Sequence, residues 1–174
     1  MTATASLLRE KFQDPSVTAD GKTRASVSLD TLKTLWINTG TLCNLTCRNC
    51  YIESSPKNDR LAYITADEVT AYLDEIRDLN LGTEEIGFTG GEPFMNPDLP
   101  QMLEDALKRG FKVIVLTNAM RPMMKTSGSL EQLNRKYHDK LTIRVSLDHH
   151  TQEGHESERG AGSWMPALDG LSFL

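Results

Sequence analysis

From Thr34 onward the chain alternates short apolar runs with longer amphipathic segments. The first apolar run, residues 35–37, predicts a β-strand. A helix is then predicted to begin at Thr65, because Thr65 and Glu68 have the spacing of a capping box, and to stop before Gly82. An apolar stripe at helical spacing supports this helix: Val69, Tyr72, Leu73, Ile76 and Leu79.

The same alternation continues along the rest of the chain. Three further strands are predicted, at residues 86–88, 113–116 and 141–148. Three further helices are predicted, one opened by Asn96-Pro97-Asp98, one capped by Ser129 with Gln132, and one from Trp164 after a polar loop. The helix after residue 98 carries five apolar positions that should be buried: Leu99, Met102, Leu103, Ala106 and Leu107.

Strands and helices that alternate with short connections indicate parallel strands, and hence an α/β sheet or a partial barrel. The conspicuous polar groups all follow the ends of predicted strands: residues 43–50, residues 90–92, Asn118, and Ser146 with Asp148. Ligands bind at the carboxyl edge of parallel sheets, so we expect these groups to converge on one site.

Length and composition limit the remaining possibilities. The 174 residues suffice for one domain, which we place at residues 34–174, behind an N-terminal extension at 1–33 that has room for a short helix or hairpin. A net charge of -5 gives no attraction to nucleic acid or anionic membranes. The polar first residues lack the apolar core of a signal peptide, and no apolar run is long enough to span a membrane, so the expected compartment is the cytoplasm.

The three cysteines, Cys43, Cys47 and Cys50, fall within eight residues, and their odd number cannot pair fully as disulfides. Three thiolates on one loop can hold a cubane iron-sulfur cluster and leave one iron open to another ligand. The alternatives are three independent thiols or a zinc site. Zinc would need a fourth ligand, and the candidates past the fourth strand are His149, His150 and His155.

The spacing C-x3-C-x2-C after a first strand resembles the cluster loop of the radical S-adenosylmethionine (radical SAM) superfamily. Gly90-Gly91-Glu92-Pro93, after the second strand, resembles the methionine-binding motif of that family. The resemblance implies a partial TIM-type barrel of parallel β/α units. It also implies a [4Fe-4S] cluster on Cys43, Cys47 and Cys50, bound S-adenosylmethionine, and an electron donor such as flavodoxin or ferredoxin.

The activity that the resemblance implies is oxidoreductase-like. S-adenosylmethionine is cleaved reductively to a 5'-deoxyadenosyl radical, which abstracts hydrogen from a small-molecule or peptide substrate. The family core is similar to a six-unit partial barrel, whereas about four units are predicted here and the chain stops inside the fourth helix. A truncated, non-catalytic iron-sulfur or S-adenosylmethionine-binding fragment or interaction module, with an open sheet edge, is therefore the alternative expectation.

The resemblance also assigns roles to individual residues. The backbone at Gly90 and Gly91 would bind the methionine amino group, and Glu92 would contribute directly. Asn118, Ser146 and Asp148 resemble ribose- and carboxylate-contacting groups, and Arg159 resembles an arginine that pairs with the methionine carboxylate.

Each of these residues also has a simpler interpretation. Glu92 suits a helix-start carboxylate, Asn118, Ser146 and Asp148 suit turn formers or caps, and Arg159 suits a solvated loop. The sequence also departs from the family at Asn49, where an aromatic residue often contacts the adenine.

Overall fold

The computed structural model describes residues 13–174, which belong to two compact units. In the first unit, which ends at Asp30, an antiparallel bridge joins Val17 to Thr23, so the described part of the predicted extension contains a small turn. Residues 1–12 lie outside the described part of the chain, and with them the start of that extension. The second unit, Thr31–Leu174, contains all the strands and helices discussed below.

Four parallel strands form one sheet in the order β1-β2-β3-β4. Their bounds are β1 Thr34–Asn38, β2 Glu85–Thr89, β3 Lys112–Thr117 and β4 Leu141–Val145. Sequential order in space is what successive strand-helix units of a partial barrel give, so the predicted α/β architecture is confirmed.

Within Thr31–Leu174 six helices connect and follow the strands: α1 Ala66–Asp78, α2 Leu99–Lys108, α3 Arg121–Met124, α4 Ser127–Tyr137, α5 Gln152–Arg159 and α6 Trp164–Phe173. Short 3-10 turns occur at Pro93–Met95 and His138–Lys140. None of the helices formed by residues 13–174 is both long and apolar enough to cross a lipid bilayer.

Helix α1 shows where local sequence signals succeed and where they fail. The predicted capping box is present, with Thr65 and Glu68 bonded reciprocally, and Val69, Leu73 and Ile76 are buried. Tyr72 and Leu79, the other two members of the apolar stripe, are 50% and 59% exposed.

The end of α1 was also predicted at the wrong residue. The helix stops at Asp78, and Asn80 adopts the left-handed conformation with φ 49°, three residues after Arg77, whose carbonyl accepts its N–H. Asparagine tolerates this conformation because its short side chain bonds locally, so Asn80 rather than Gly82 reverses the chain.

Helix α2 supplies the best-predicted part of the core. All five apolar positions predicted for it are buried and belong to one core cluster with sheet residues that include Ile86, Phe88, Val113 and Val115. Burial contributes roughly 1.5–3 kcal/mol for each fully buried large side chain, so this layer is a large stabilising contribution to the second unit.

Helix α5 was not predicted at all. Residues 152–159 lie in the segment that we interpreted as a polar loop, yet they form a helix whose Thr151 cap accepts a hydrogen bond from the Gly154 N–H. His155 is its only buried residue, so the segment has almost no apolar face for pattern analysis to detect. Helix α4 likewise begins at Ser127, two residues before the predicted cap.

Strand β4 lies at an edge of the sheet. Within residues 13–174 its only strand neighbour is β3, and β4 ends at Val145 rather than at Asp148. Ser146 continues the pairing with one hydrogen bond from its N–H to the Thr117 carbonyl, at 2.8 Å. Ser146 and Asp148 are therefore on the connection that leaves the carboxyl end of β4.

Candidate functional site

A cavity of about 520 Å³ lies at the carboxyl edge of the sheet, a volume in the range of small-molecule sites. Every predicted site residue except Glu92 lines it: Cys43, Cys47, Cys50, Gly90, Gly91, Asn118, Ser146, Asp148 and Arg159. The cysteine loop forms one side, and the ends of β2, β3 and β4 provide the floor and the opposite wall. The structure thus brings together groups that are more than a hundred residues apart in the chain.

The cysteine loop directs backbone N–H groups at its own sulfurs. The Leu45 N–H points at Cys43 Sγ at 3.4 Å, and the Ser54 N–H points at Cys50 Sγ at 3.2 Å. All three cysteines are free, with Cys43 buried. N–H groups aimed at sulfur stabilise a thiolate, so the loop is arranged to hold negative sulfur ligands.

Without a metal Cys43 and Cys47 favour the protonated form. Burial raises the pKa of Cys43 to about 11, against the Leu45 N–H, which lowers it. Burial also raises the pKa of Cys47, and the positive charge of Arg159 opposes that increase. Because metals bind thiolates, loading such a site releases protons, and the basic side chain beside Cys47 favours that exchange.

The donor set suits a cluster better than a single ion. Among residues 13–174 no three His, Cys, Asp or Glu side chains lie close enough together to bind one metal ion. A cubane cluster allows its sulfur ligands to lie further apart, because each cysteine binds a different iron atom. The ring Nδ1 of His149, one of the candidate zinc ligands, instead accepts the Thr151 N–H at 3.0 Å, and His155 is buried against Trp164.

Gly91 is needed for a close contact within the protein. Its N–H donates to the Gly40 carbonyl at 2.8 Å, and a Cβ at this position would lie 2.2 Å from the Leu42 carbonyl oxygen. Gly90 has φ 146°, a conformation that side chains rarely adopt. The segment that approaches Gly91 closely is the one before Cys43, and the contact of the Gly90 and Gly91 backbone with a methionine amino group stays a prediction.

Glu92 occupies a different place from the predicted one. It is 2% exposed, does not line the cavity, and accepts three hydrogen bonds from groups of the protein. The donors are the Phe94 N–H at 3.2 Å, the Thr117 hydroxyl at 2.7 Å and the Asn118 N–H at 2.8 Å. Its alternative interpretation as a helix-start carboxylate describes the Phe94 contact, because Glu92 caps the turn Pro93–Met95.

The Glu92 carboxylate also fixes the end of β3, which no local pattern indicated. Both oxygens are used, one by Phe94 and Thr117 and the other by Asn118. Burial raises the pKa of Glu92, and the hydrogen bonds from Asn118, Thr117 and Phe94 oppose this effect. Glu92 is therefore a buried acid whose hydrogen bonds hold Thr117 and Asn118, two residues that line the cavity.

This burial predicts a pH effect on stability that Glu92→Gln isolates. The folded chain holds the Glu92 proton more tightly than the unfolded chain, so the free energy of unfolding should fall as pH rises from 4.5 through the folded pKa. Glutamine does not titrate, so the variant lacks this dependence. The unfolding free energy of the natural chain minus that of Glu92→Gln should therefore become smaller, or more negative, as pH rises over that window. Urea denaturation of both proteins, without metal, at a series of pH values checks this; a constant difference would contradict it.

Asn118 connects the end of β3 to the cysteine loop. Its side-chain N–H₂ donates to Asn44 Oδ1 at 2.9 Å and approaches Cys43 Sγ at 3.9 Å, while its Oδ1 accepts the Met120 N–H. In the structure this side chain lines the cavity and also supports the loop. Its role towards a ribose stays a prediction.

Arg159 and Asp148 engage each other. Nε and Nη2 of Arg159 donate to the two carboxylate oxygens of Asp148, at 2.7 and 3.1 Å. The arginine side chain is only 16% exposed, so it is not the solvated surface residue that was the alternative. Arg159 is the last residue of α5 rather than part of a loop, and its guanidinium charge lies close enough to Cys47 to affect that thiol.

Glu158 also lines the cavity and was missed as a site residue. The Glu158 carbonyl accepts the Arg48 N–H at 2.8 Å, and its carboxylate accepts the Asn49 side-chain N–H₂ at 2.6 Å. Glu158 was missed because α5 was not predicted. The one local signal was Thr151, which stands three residues before the Gly154 N–H that it caps.

Comparison with known proteins assigns most of the chain to the family that its cysteine loop resembles. The family model for the radical SAM superfamily matches residues 37–174. AlbA of Bacillus subtilis (strain 168), the antilisterial bacteriocin subtilosin biosynthesis protein, is 37% identical over 133 residues. Fe-coproporphyrin III synthase of Methanosarcina barkeri (strain Fusaro / DSM 804) is 29% identical over 133 residues.

Solved structures share the fold. Streptococcus suis SuiB bound to S-adenosylmethionine matches with a TM-score of 0.62 and 22% identity, over 75% of this chain and 28% of that one. Native anSMEcpe with bound AdoMet matches with a TM-score of 0.60 and 18% identity, over 81% of this chain and 40% of that one.

The matched region covers only part of each relative. The match to AlbA covers 76% of this chain and 28% of AlbA, and the match to Fe-coproporphyrin III synthase covers 74% of this chain and 30% of that protein. The matched part of this chain includes the cysteine loop and the ends of β2, β3 and β4, which line the cavity. The chain belongs to the radical SAM superfamily, and the cofactors predicted for it, a [4Fe-4S] cluster and S-adenosylmethionine, are those of that family.

Proposed function

We propose that residues 34–174 form a radical SAM core, in which Cys43, Cys47 and Cys50 hold a [4Fe-4S] cluster and the adjoining cavity binds S-adenosylmethionine. The observation that carries the proposal is the shared cavity: the three cysteines, Gly90, Gly91 and the ends of β3 and β4 all line it. When reduced, such a cluster supplies the electron that cleaves S-adenosylmethionine to methionine and a 5'-deoxyadenosyl radical, which then takes hydrogen from a substrate.

The protein groups in this proposal bind and orient. The three thiolates hold the cluster at the loop side, with N–H groups of Leu45 and Ser54 directed at two of the sulfurs. The backbone at Gly90 and Gly91 faces the same space and is proposed to take the methionine amino group. Burial of Cys43 keeps water away from that part of the loop, which protects a reactive radical from side reactions.

Asn118, Ser146, Asp148 and Arg159 are proposed to contact the nucleoside and the carboxylate. Asp148 uses Nε and Nη2 of Arg159, and a guanidinium has five N–H donors, so donors remain for a ligand carboxylate. Glu92 has no direct contact in the proposal. Its three hydrogen bonds instead hold Asn118 and Thr117 in place under the ligand.

The substrate is proposed at the level of chemical class only. One relative in the structural comparison is SuiB bound to precursor peptide SuiA, and one curated relative is GTP 3',8-cyclase of Rhodococcus opacus (strain B4). The proposal therefore includes both peptide and small-molecule substrates, with an external donor of one electron.

A second candidate function is an interaction module that binds the cluster without catalysis. The observation that favours it is the edge of β4, which within residues 13–174 pairs on one side only. Beside this edge Leu130, Leu141, Ile143 and Phe173 line a cavity of about 240 Å³. A strand with one unpaired edge next to apolar side chains is suited to adding another strand.

Anaerobic reconstitution with iron and sulfide tests the two candidates. The expected result is iron-sulfur absorbance, bound iron, and 5'-deoxyadenosine when dithionite and S-adenosylmethionine are added. Cys47→Ala should reduce both the cluster content and the nucleoside to background, because two thiolates remain on the loop. Thr46→Ala, at an exposed neighbouring residue that does not line the cavity, is the matched control and should behave as the natural chain.

The other outcomes of this experiment are equally informative. A cluster that forms without production of 5'-deoxyadenosine favours the interaction module. Bound zinc with no iron after reconstitution contradicts both candidates.

A further inference from the structure

The cysteine loop is tied to helix α5 at one point. Between Cys47 and Cys50 the loop makes two hydrogen bonds to Glu158, one from the Arg48 N–H to its carbonyl and one from the Asn49 side chain to its carboxylate. Nothing local requires this contact, because Asn49 and Glu158 are 109 residues apart. We call the Asn49–Glu158 side-chain pair the loop latch.

The ends of the loop are held by other means. The Cys43 N–H donates to the Ser55 carbonyl at 3.1 Å, and the Ser54 N–H is directed at the Cys50 sulfur. In the described part of the chain, the hydrogen bonds from Arg48 and Asn49 all go to Glu158. Both of these residues are exposed, so packing does not fix them. A turn hydrogen bond from the Cys50 N–H to the Cys47 carbonyl, at 3.4 Å, closes the segment between the second and third cysteines, and the bonds to Glu158 fix where that turn lies relative to α5.

Helix α5 is itself a firm support. Its last residue, Arg159, makes a bidentate ion pair with Asp148, which follows β4. His155 is buried against Trp164 of α6. The latch therefore relates the position of Cys47 and Cys50 to the end of β4, on the opposite wall of the same cavity.

We infer that Asn49 and Glu158 are positioning residues, which hold the segment between Cys47 and Cys50 in register with the opposite wall of the cavity before any cofactor binds. The bearing of this latch on cluster binding rests on the proposed function, whereas its effect on the loop does not. The pair contains one donor and one acceptor, so exchanging their chemical roles should preserve it.

An exchange of donor and acceptor tests the inference. Asn49→Asp places a carboxylate against the Glu158 carboxylate and should break the latch. Adding Glu158→Gln restores one donor and one acceptor in the reverse order. Hydrogen exchange of the backbone amides of residues 44–54, measured by mass spectrometry on the chain without metal, should accelerate about five-fold in Asn49→Asp, as loss of a charge-assisted but partly exposed hydrogen bond implies.

The rescue decides the result. In Asn49→Asp with Glu158→Gln, exchange should return to within about two-fold of the natural chain, since the bond is re-formed with exchanged roles. Glu153→Gln, an exposed carboxylate on α5, is the matched control and should leave exchange unchanged. Unchanged exchange in Asn49→Asp, or failure of the double variant to restore it, would overturn the inference.

A second measurement connects the latch to the cluster. After reconstitution, the loss of iron to a chelator should be about five-fold faster in Asn49→Asp and should be restored in the double variant, by the same local opening. If the natural chain binds no iron, the proposed function fails while the exchange result still decides the latch. If it binds iron and the variants lose it at the same rate, the latch does not act on the cluster and the inference fails there.

Discussion

Glu92→Ala should lower the free energy of unfolding by about 3 kcal/mol, because it leaves three buried donors without an acceptor. The Thr117 hydroxyl and the N–H groups of Phe94 and Asn118 all bond to this carboxylate at 2.7–3.2 Å. Removing a buried carboxyl group also removes the cost of burying it, which offsets part of the loss. Urea denaturation of the two chains near neutral pH measures the difference.

Two comparison variants separate the hydrogen bonds from the mere loss of a carboxylate. Thr117→Val keeps the side-chain shape and removes a hydroxyl that donates to Glu92 and accepts the Ala119 N–H at 3.0 Å, so it should cost about 2 kcal/mol. Glu84→Ala removes an exposed carboxylate one residue before β2 and should change the unfolding free energy by less than about 0.5 kcal/mol. If Glu92→Ala were as mild as Glu84→Ala, the bonds to the end of β3 would not be needed for stability.

The contrast between α2 and Glu92 shows what a sequence pattern can predict. The five buried positions of α2 follow one another at helical spacing, so a stretch of ten residues contains the whole signal. The role of Glu92 depends on Thr117 and Asn118, which are 25 and 26 residues further along the chain. Pattern analysis placed Glu92 in the correct motif, but its partners are visible only in the folded chain.

The cavity could be predicted from the order of the elements rather than from local spacing. Parallel strands present their carboxyl ends at one edge, so the order of elements alone brought residues after β1, β2, β3 and β4 to the same place. Topology does not indicate how those residues satisfy one another. Arg159 pairs with Asp148, and Glu158 pairs with Asn49. Both pairs depend on α5, which was not predicted because it forms from a polar segment without an apolar stripe.

Gly91→Ala should cost about 3 kcal/mol in unfolding free energy and should also disturb the position of Cys43. The new methyl group would lie 2.2 Å from the Leu42 carbonyl oxygen and 2.8 Å from the Thr41 carbonyl oxygen, and backbone atoms cannot rotate away as a side chain can. Relieving the contact requires moving residue 42, whose carbonyl accepts the Glu92 N–H at 3.0 Å and which directly precedes the first cysteine.

The same substitution at Gly128 provides the matched control. Gly128 lies in α4 with nothing within 4 Å of an added Cβ, so Gly128→Ala should leave stability unchanged or raise it by up to about 1 kcal/mol. Thermal or urea denaturation gives the stability of both variants, and iron bound after reconstitution reports on the loop. A Gly91→Ala chain as stable as the natural one, with full iron content, would mean that the segment before Cys43 can shift freely. The close backbone contact would then not be what places the first cysteine.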